Sequence, residues 1–207
     1  MLSRTMPISM AETVAFSSLS PARRVLVSGE TAFGLATYIT ARAACERRPV
    51  RVICGDNRFD PYAVSGFAKS RKIKPEDALS SILIARAFTA YQMAELVGRI
   101  DPLASSDLVV ITGPCSTFFD EDLSLLDSAR LFYRMLWRVV ELARSGMTVL
   151  LAQSEPPRSA RRAYFLKDLC HACDVVLRCD GLHTFMLERR GRAALPHLVG
   201  LDRMLGD

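Results

Sequence analysis

Five short apolar runs, each about the length of a strand, recur along the chain with helix-forming stretches between them: Val25–Ser28, Val50–Cys54, Ser81–Arg86, Asp107–Thr112 and Met147–Ala152. A run such as Leu108-Val109-Val110-Ile111 has no polar alternate positions, so it suits a strand buried on both faces, the habit of parallel sheets. The intervening stretches read as helices. One opens at the turn Gly29–Gly34 and runs to about Arg47; Pro61 starts another through Ser70; Pro75-Glu76-Asp77 opens a short helical turn. Tyr91–Ile100 is amphipathic, and a long helix over Leu123–Arg144 sets Arg130, Arg134 and Arg138 on one solvated face before Gly146 ends it. Strands alternating with helices predict an α/β domain with a mostly parallel, doubly wound central sheet and helices on both faces.

Beyond Gln153 the pattern changes. A Pro-Pro pair and a basic helix near Ala160–Cys170 precede Asp174–Cys179, His183–Glu188 and Ala194–Val199, which read as sequential strands in a C-terminal antiparallel extension. Residues 1–21 read as an N-terminal leader, and 22–207 as one domain without repeat or linker. Half of the residues are hydrophobic, too many for a disordered chain. No apolar stretch is long enough to span a membrane, and the uncharged run Leu108–Phe119 is broken by Gly113 and Pro114. Six cysteines lie scattered in strand-like surroundings of a chain large enough to fold without staples, which fits a reducing compartment and a cytoplasmic protein. The net charge of +5 is carried by the first half: residues 1–104 hold 14 basic and 9 acidic side chains, against 13 of each in 105–207. Arg outnumbers Lys 23 to 4, which leaves few candidates for a catalytic ammonium.

The turn Gly29-Glu30-Thr31-Ala32-Phe33-Gly34-Leu35-Ala36 has the G-x-x-x-x-G frame of a phosphate-binding loop, without the Lys and Ser/Thr that should follow. Further segments occur in a telling order. Ile53-Cys54-Gly55-Asp56-Asn57-Arg58-Phe59 ends a strand in an acidic turn; Ile84-Ala85-Arg86-Ala87-Phe88-Thr89-Ala90-Tyr91-Gln92 joins a strand to a helix carrying Gln; one later strand ends at Thr112 and another at Gln153. In this order and content the chain resembles the RecA/RadA recombinase superfamily over about residues 22–190. The resemblance implies a RecA-like P-loop NTPase fold. It also implies that ATP and Mg²⁺, if bound at all, would sit at Gly29, Glu30, Thr31, Gly34, Leu35, Ala36 and Thr112.

Set against that family, the chemistry is degenerate. Leu35 and Ala36 replace the charged and hydroxyl groups, and Thr112 stands where a Mg²⁺-organising Asp is expected. A charge-assisted hydrogen bond is worth about 1.5–3 kcal/mol, and two such ligands are missing together. Asp56 falls at the place of the water-activating acid and Gln153 at that of the nucleotide sensor, both as vestiges or as plain structural residues. The resemblance places DNA contacts in two loops. The first here is acidic (Asp120, Glu121, Asp122, Asp127); the second offers Arg158, Arg161 and Arg162 as a small phosphate-facing patch or a solvated face. Lys69, Arg71, Lys72 and Lys74 form a second basic cluster of equally open meaning. Cys170, Cys173, Cys179 and His183 have zinc-ligand types, but the strand between them splays the donors, so no metal is expected. No G-x-S-x-G elbow supports a serine hydrolase.

The expectation is therefore a pseudo-ATPase that serves DNA recombination or repair as an accessory protein, through protein contacts and weak DNA binding. The alternatives are an active ATPase that borrows a charge from elsewhere and a scaffold outside DNA metabolism. Phe118-Phe119 and Leu131-Phe132-Tyr133 are the apolar candidates for an interface, or else core; Tyr91 and Met93 read as core ahead of a base-stacking surface, and Arg86 as packed against the next helix ahead of contact with a neighbouring subunit.

Overall fold

A strand that is apolar on both faces needs a helix layer over each, and the connections supply both. In the computed structural model, which describes residues 3–7, 23–101, 108–154, 160–179 and 184–189, the chain runs β1 (Ser3–Pro7), β2 (Arg24–Ser28), α1 (Ala32–Cys45), β3 (Val50–Cys54), α2 (Pro61–Ser70), α3 (Pro75–Leu79) and β4 (Ile82–Arg86). It continues through α4 (Ala90–Gly98), β5 (Leu108–Thr112), a 3₁₀ turn (Ser116–Phe119), α5 (Leu125–Arg144), β6 (Thr148–Gln153), a second 3₁₀ turn (Ala160–Arg162), α6 (Ala163–Ala172), β7 (Val175–Cys179) and β8 (Thr184–Arg189). The sheet order is β1-β8-β7-β2-β6-β5-β3-β4. The six strands β2 to β7 are mutually parallel; β8 adds antiparallel to β7, and β1 antiparallel to β8.

The direction of each crossover decides its layer. Connections from β2 to β3 and on to β4 step one way along the sheet; those from β4 through β5 and β6 to β7 step back. Right-handed crossovers then lay α1 to α3 on one face and α4 to α6 on the other. Two core clusters match this division. The first joins Leu35 and Ile39 of α1, Val64 and Ala68 of α2 and Ala78 of α3 to Val25, Val52 and Val110; the second joins Met93, Phe132 and Phe165 to Leu26, Ile111 and Leu151. Rings concentrate on the second face, where Phe118, Phe132 and Phe165 are fully buried and the Phe132 and Phe165 centroids lie 4.6 Å apart.

Helix starts follow capping chemistry. Asp60, Thr89 and Ser124 accept the backbone N–H of Ala63, Gln92 and Asp127 at 2.9, 3.2 and 3.1 Å, and Pro61 takes the first helical position of α2, where its missing N–H costs nothing. At the opposite edge of the sheet Arg24 pairs with Asp174 at 2.8 Å, tying the start of β2 to that of β7.

Several expectations change. Ser3–Pro7, expected within a leader, forms strand β1, because its backbone finds a partner in β8. Of the two readings open for Phe118 and Phe132, core is the one they take, whereas Tyr91 and Arg86, read first as packed, are exposed. Arg130 and Arg134 are exposed as expected, while Arg138 turns inward to donate to the Ile100 carbonyl at 2.7 Å. The strand expected over Ala194–Val199 lies outside the described residues. Among the described residues no helix is long and apolar enough to cross a membrane.

Candidate functional site

In an open parallel sheet, ligands gather at the C-terminal strand ends where neighbouring connections diverge. Here β3 leads away toward β4 and its neighbour β5 leads back toward β6, so the divergence lies between the ends of β3 and β5. Two glycines let these ends touch. Gly55 N–H donates to the Thr112 carbonyl at 2.7 Å, and a Cβ on Gly55 would sit 2.5 Å from the Gly113 carbonyl oxygen. Gly113 has φ +58°, and a Cβ there would meet the Asp56 backbone nitrogen at 2.6 Å.

That closeness sets the chemistry of the corner. The Thr112 hydroxyl donates to Asp56 Oδ1 at 2.6 Å, and Arg58 donates to the same carboxylate from its backbone N–H at 3.2 Å and from Nε at 3.4 Å. The Asp56 side chain is only 6% exposed. The Arg58 guanidinium also lies over the Phe33 ring at 4.6 Å, so it bridges from this corner to the start of α1. Next to Thr112, the buried Gln153 accepts from the Cys115 backbone N–H at 2.9 Å and donates to Ser116 Oγ at 3.3 Å. Gln153 thus clips the chain leaving β5 to the end of β6. Burial pushes the Cys54 thiol up, and that of Cys115 well up, so neither is a poised nucleophile.

The glycine frame after β2 takes a different form. Gly29, at φ +110°, donates to the Gln153 carbonyl at 3.0 Å and accepts from Ala32 N–H at 2.9 Å, which closes a tight turn. Helix α1 already begins at Ala32, so Gly34 lies in its first turn, exposed, with open space where a Cβ would point. Leu35 and Ala36 are 4% and 1% exposed in the core, and the Thr37 hydroxyl donates back to the Phe33 carbonyl at 2.9 Å. Glu30 is exposed, and Thr31 Oγ1 is buried without a partner. These residues do not fit a Mg²⁺-nucleotide: the positions that would present an ammonium and a hydroxyl carry the buried Leu35 and Ala36, and the Asp56 carboxylate is already held by Thr112 and Arg58. No chemical step is derived through that group.

The expected DNA patch is divided by the structure. Arg158 lies outside the described residues and Arg161 is exposed. Arg162 is 5% exposed and spends its guanidinium on the Phe118 carbonyl (2.8 Å), Ser128 Oγ (2.6 Å) and the Leu123 carbonyl (2.6 Å). It is a strut between the second 3₁₀ turn and α5, and the correction has a simple cause: three oxygens around the N-terminal end of α5 need a donor, and Arg supplies several from one fork. Cys170 and Cys173 pack in the second core cluster, while His183 lies outside the described residues.

The feature that sequence reasoning missed is at the sheet edge. Strand β4 ends the described sheet, and around it Leu83, Phe88 and Tyr91 are 67%, 65% and 58% exposed. A shallow cleft of about 170 Å³ beside it is lined by Ile53, Leu83, Ala85, Leu96 and Arg99. No local pattern in the sequence marks this edge, because it follows from strand order: β5 pairs with β3 and not with β4. Compared with known proteins, the chain matches no family model and no curated protein sequence.

Proposed function

We propose that the chain is a catalytically degenerate RecA-like protein that acts by binding another protein, as an accessory factor in DNA recombination or repair, with the open edge of β4 as its docking site. The observation that carries this reading is the exposure of Leu83, Phe88 and Tyr91 at β4, which ends the sheet among the described residues, in a domain whose candidate catalytic corner is filled by its own hydrogen bonds. An open edge with apolar side chains is a template for an added strand, its backbone groups giving affinity and its side-chain pockets specificity. The RecA-like part of the proposal is supported by the order of features: the glycine turn follows β2, Gln153 ends the neighbouring β6, Thr112 ends β5 and Asp56 lies in the turn just after β3.

The test is mass in solution, alone and with a candidate recombinase, for the native chain and for Leu83→Asp and Phe88→Asp. Association by the native chain and its loss in both variants is expected; a strictly monomeric chain without a partner overturns the reading. Mg²⁺-dependent ATP turnover is expected to be absent, and turnover that disappears in Asp56→Ala would replace the proposal with an ATPase.

A further inference from the structure

We propose that the end of the sheet opposite the candidate corner carries a nucleic-acid surface, in which Lys69, Arg71, Lys72 and Lys74 around the end of α2, with Arg47 beyond the end of α1, contact the phosphate backbone. Three of the four lysines in the chain fall within residues 69–74. All five side chains are exposed. Helices α1 and α2 each follow a parallel strand and run back along the sheet, so both end at the strands' N-terminal edge; Tyr38 and Phe67 pack edge to face between them. Arg71 lies close enough to the last turn of α1 for its charge to act on the Cys45 thiol.

Neutralisation is what this cluster lacks. Arg24, Arg42, Arg58, Arg99, Arg134 and Arg138 all pair with carboxylates, whereas among the described residues none of the five does. Arg71 instead rests over the Phe67 ring at 5.2 Å, which holds the guanidinium without cancelling its charge. Of the nearby acids, Glu46 pairs with Arg42, while Glu76 and Asp77 are exposed in the first turn of α3 and leave the 69–77 segment with four cations against two carboxylates.

The negative end of α2 favours Lys69 in its last turn and Arg71 at its C-cap, but backbone conformation and capping chemistry do not account for the other three. Arg47 and Lys72 adopt φ of 57° and 58°, the left-handed conformation in which glycine normally ends a helix. Lys74 is the N-cap of α3, where a short oxygen side chain would bond the free N–H groups and where the helix dipole opposes a cation. Positions that depart from local preference with a charge at each are expected of a binding site. The patch has no exposed apolar centre, since Phe67 and Ile73 pack against the core. Protein interfaces are built around such a centre, whereas phosphate contacts need only reachable cations, and this favours nucleic acid over an acidic protein. The surface lies away from the aromatic residues of the β4 edge, so it does not depend on the docking function proposed above.

The test measures fluorescence anisotropy of labelled single-stranded DNA, duplex DNA and RNA with the full chain over a salt series. Five phosphate contacts give a log–log salt slope of about −3.5 on single strands and about −4.5 on duplex, and Lys69→Gln/Lys72→Gln/Lys74→Gln reduces its magnitude by about 2–3. Lys72→Gly/Lys74→Ser separates binding from folding: it raises Tm by about 2–4 °C while weakening binding, because both changes restore preferred helix-end residues. Arg161→Gln leaves the slope unchanged. The proposal is overturned if the triple variant keeps the native slope, if Arg161→Gln reduces it as much, or if polyglutamate or anionic phospholipid vesicles bind as tightly at matched salt.

Discussion

Two glycine-bearing corners lie on the same edge of the sheet, and only one of them needs both of its glycines; after β2, Gly29 is required by its φ of +110° but Gly34 is not. At the ends of β3 and β5, Gly55 and Gly113 are forced by contact: backbone of one strand end occupies the space a side chain of the other would fill. After β2, Gly34 fits the spacing of a phosphate loop but meets nothing and sits within a helix. A spacing pattern records which residues are present, while a required glycine records how closely two backbones approach. The corner with the less familiar pattern is the one where side chains from distant segments meet.

Substitutions should break this contrast unequally. Gly113→Ala is expected to be the most damaging, costing roughly 2–5 kcal/mol from left-handed strain and overpacking against Asp56, as read by urea denaturation. Arg162→Leu should cost about 2–4 kcal/mol by orphaning the oxygens at Phe118, Leu123 and Ser128, yet leave nucleic-acid affinity unchanged in the anisotropy assay. Thr112→Val removes one hydrogen bond to a nearly buried carboxylate, for about 1–2 kcal/mol. Gly34→Ala should go the other way and stabilise by about 0.5–1 kcal/mol, since glycine within an exposed helical turn is itself a cost; destabilisation there would mean that the glycine frame is used after all.

A charged tie gives a further comparison, through its pH dependence. Burial alone would raise the Asp174 carboxyl, but the Arg24 side chain and backbone N–H outweigh burial and lower it. A depressed carboxylate adds stability that is full above its unfolded value of about 3.9 and is lost as pH falls through the lower folded value. In Asp174→Asn that acid-side loss should shrink, which denaturation curves collected from neutral to acid pH will show.

Much of the architecture was legible because strands buried on both faces leave unmistakable runs: Leu108–Ile111 cannot be a surface segment, and Pro61 and Gly146 mark helix limits by backbone chemistry. What was not legible depends on strand order. Asp56 and Thr112 are far apart in sequence and meet only because β3 and β5 are neighbours, and no local pattern records that adjacency. Arg162 looked like part of a basic surface because its neighbours are basic; the carbonyls it satisfies belong to segments some forty positions earlier. Ser3–Pro7 lacks an apolar run altogether, and its strand character comes from a partner at the other end of the chain.

That last pairing has a consequence for how the molecule is made. Ser3 lies opposite Glu188, so the first strand described pairs with the last one described. During vectorial synthesis β3 and β4 can pair, β5 and β6 can add in turn and β2 can then join β6, but β1 has no place until β8 has closed on β7, and the cost of joining such distant segments falls late in folding. Until then the nascent sheet has an open edge at each end, β4 on one side and β2 or β7 on the other, and this interval is when self-association of growing chains is most favoured.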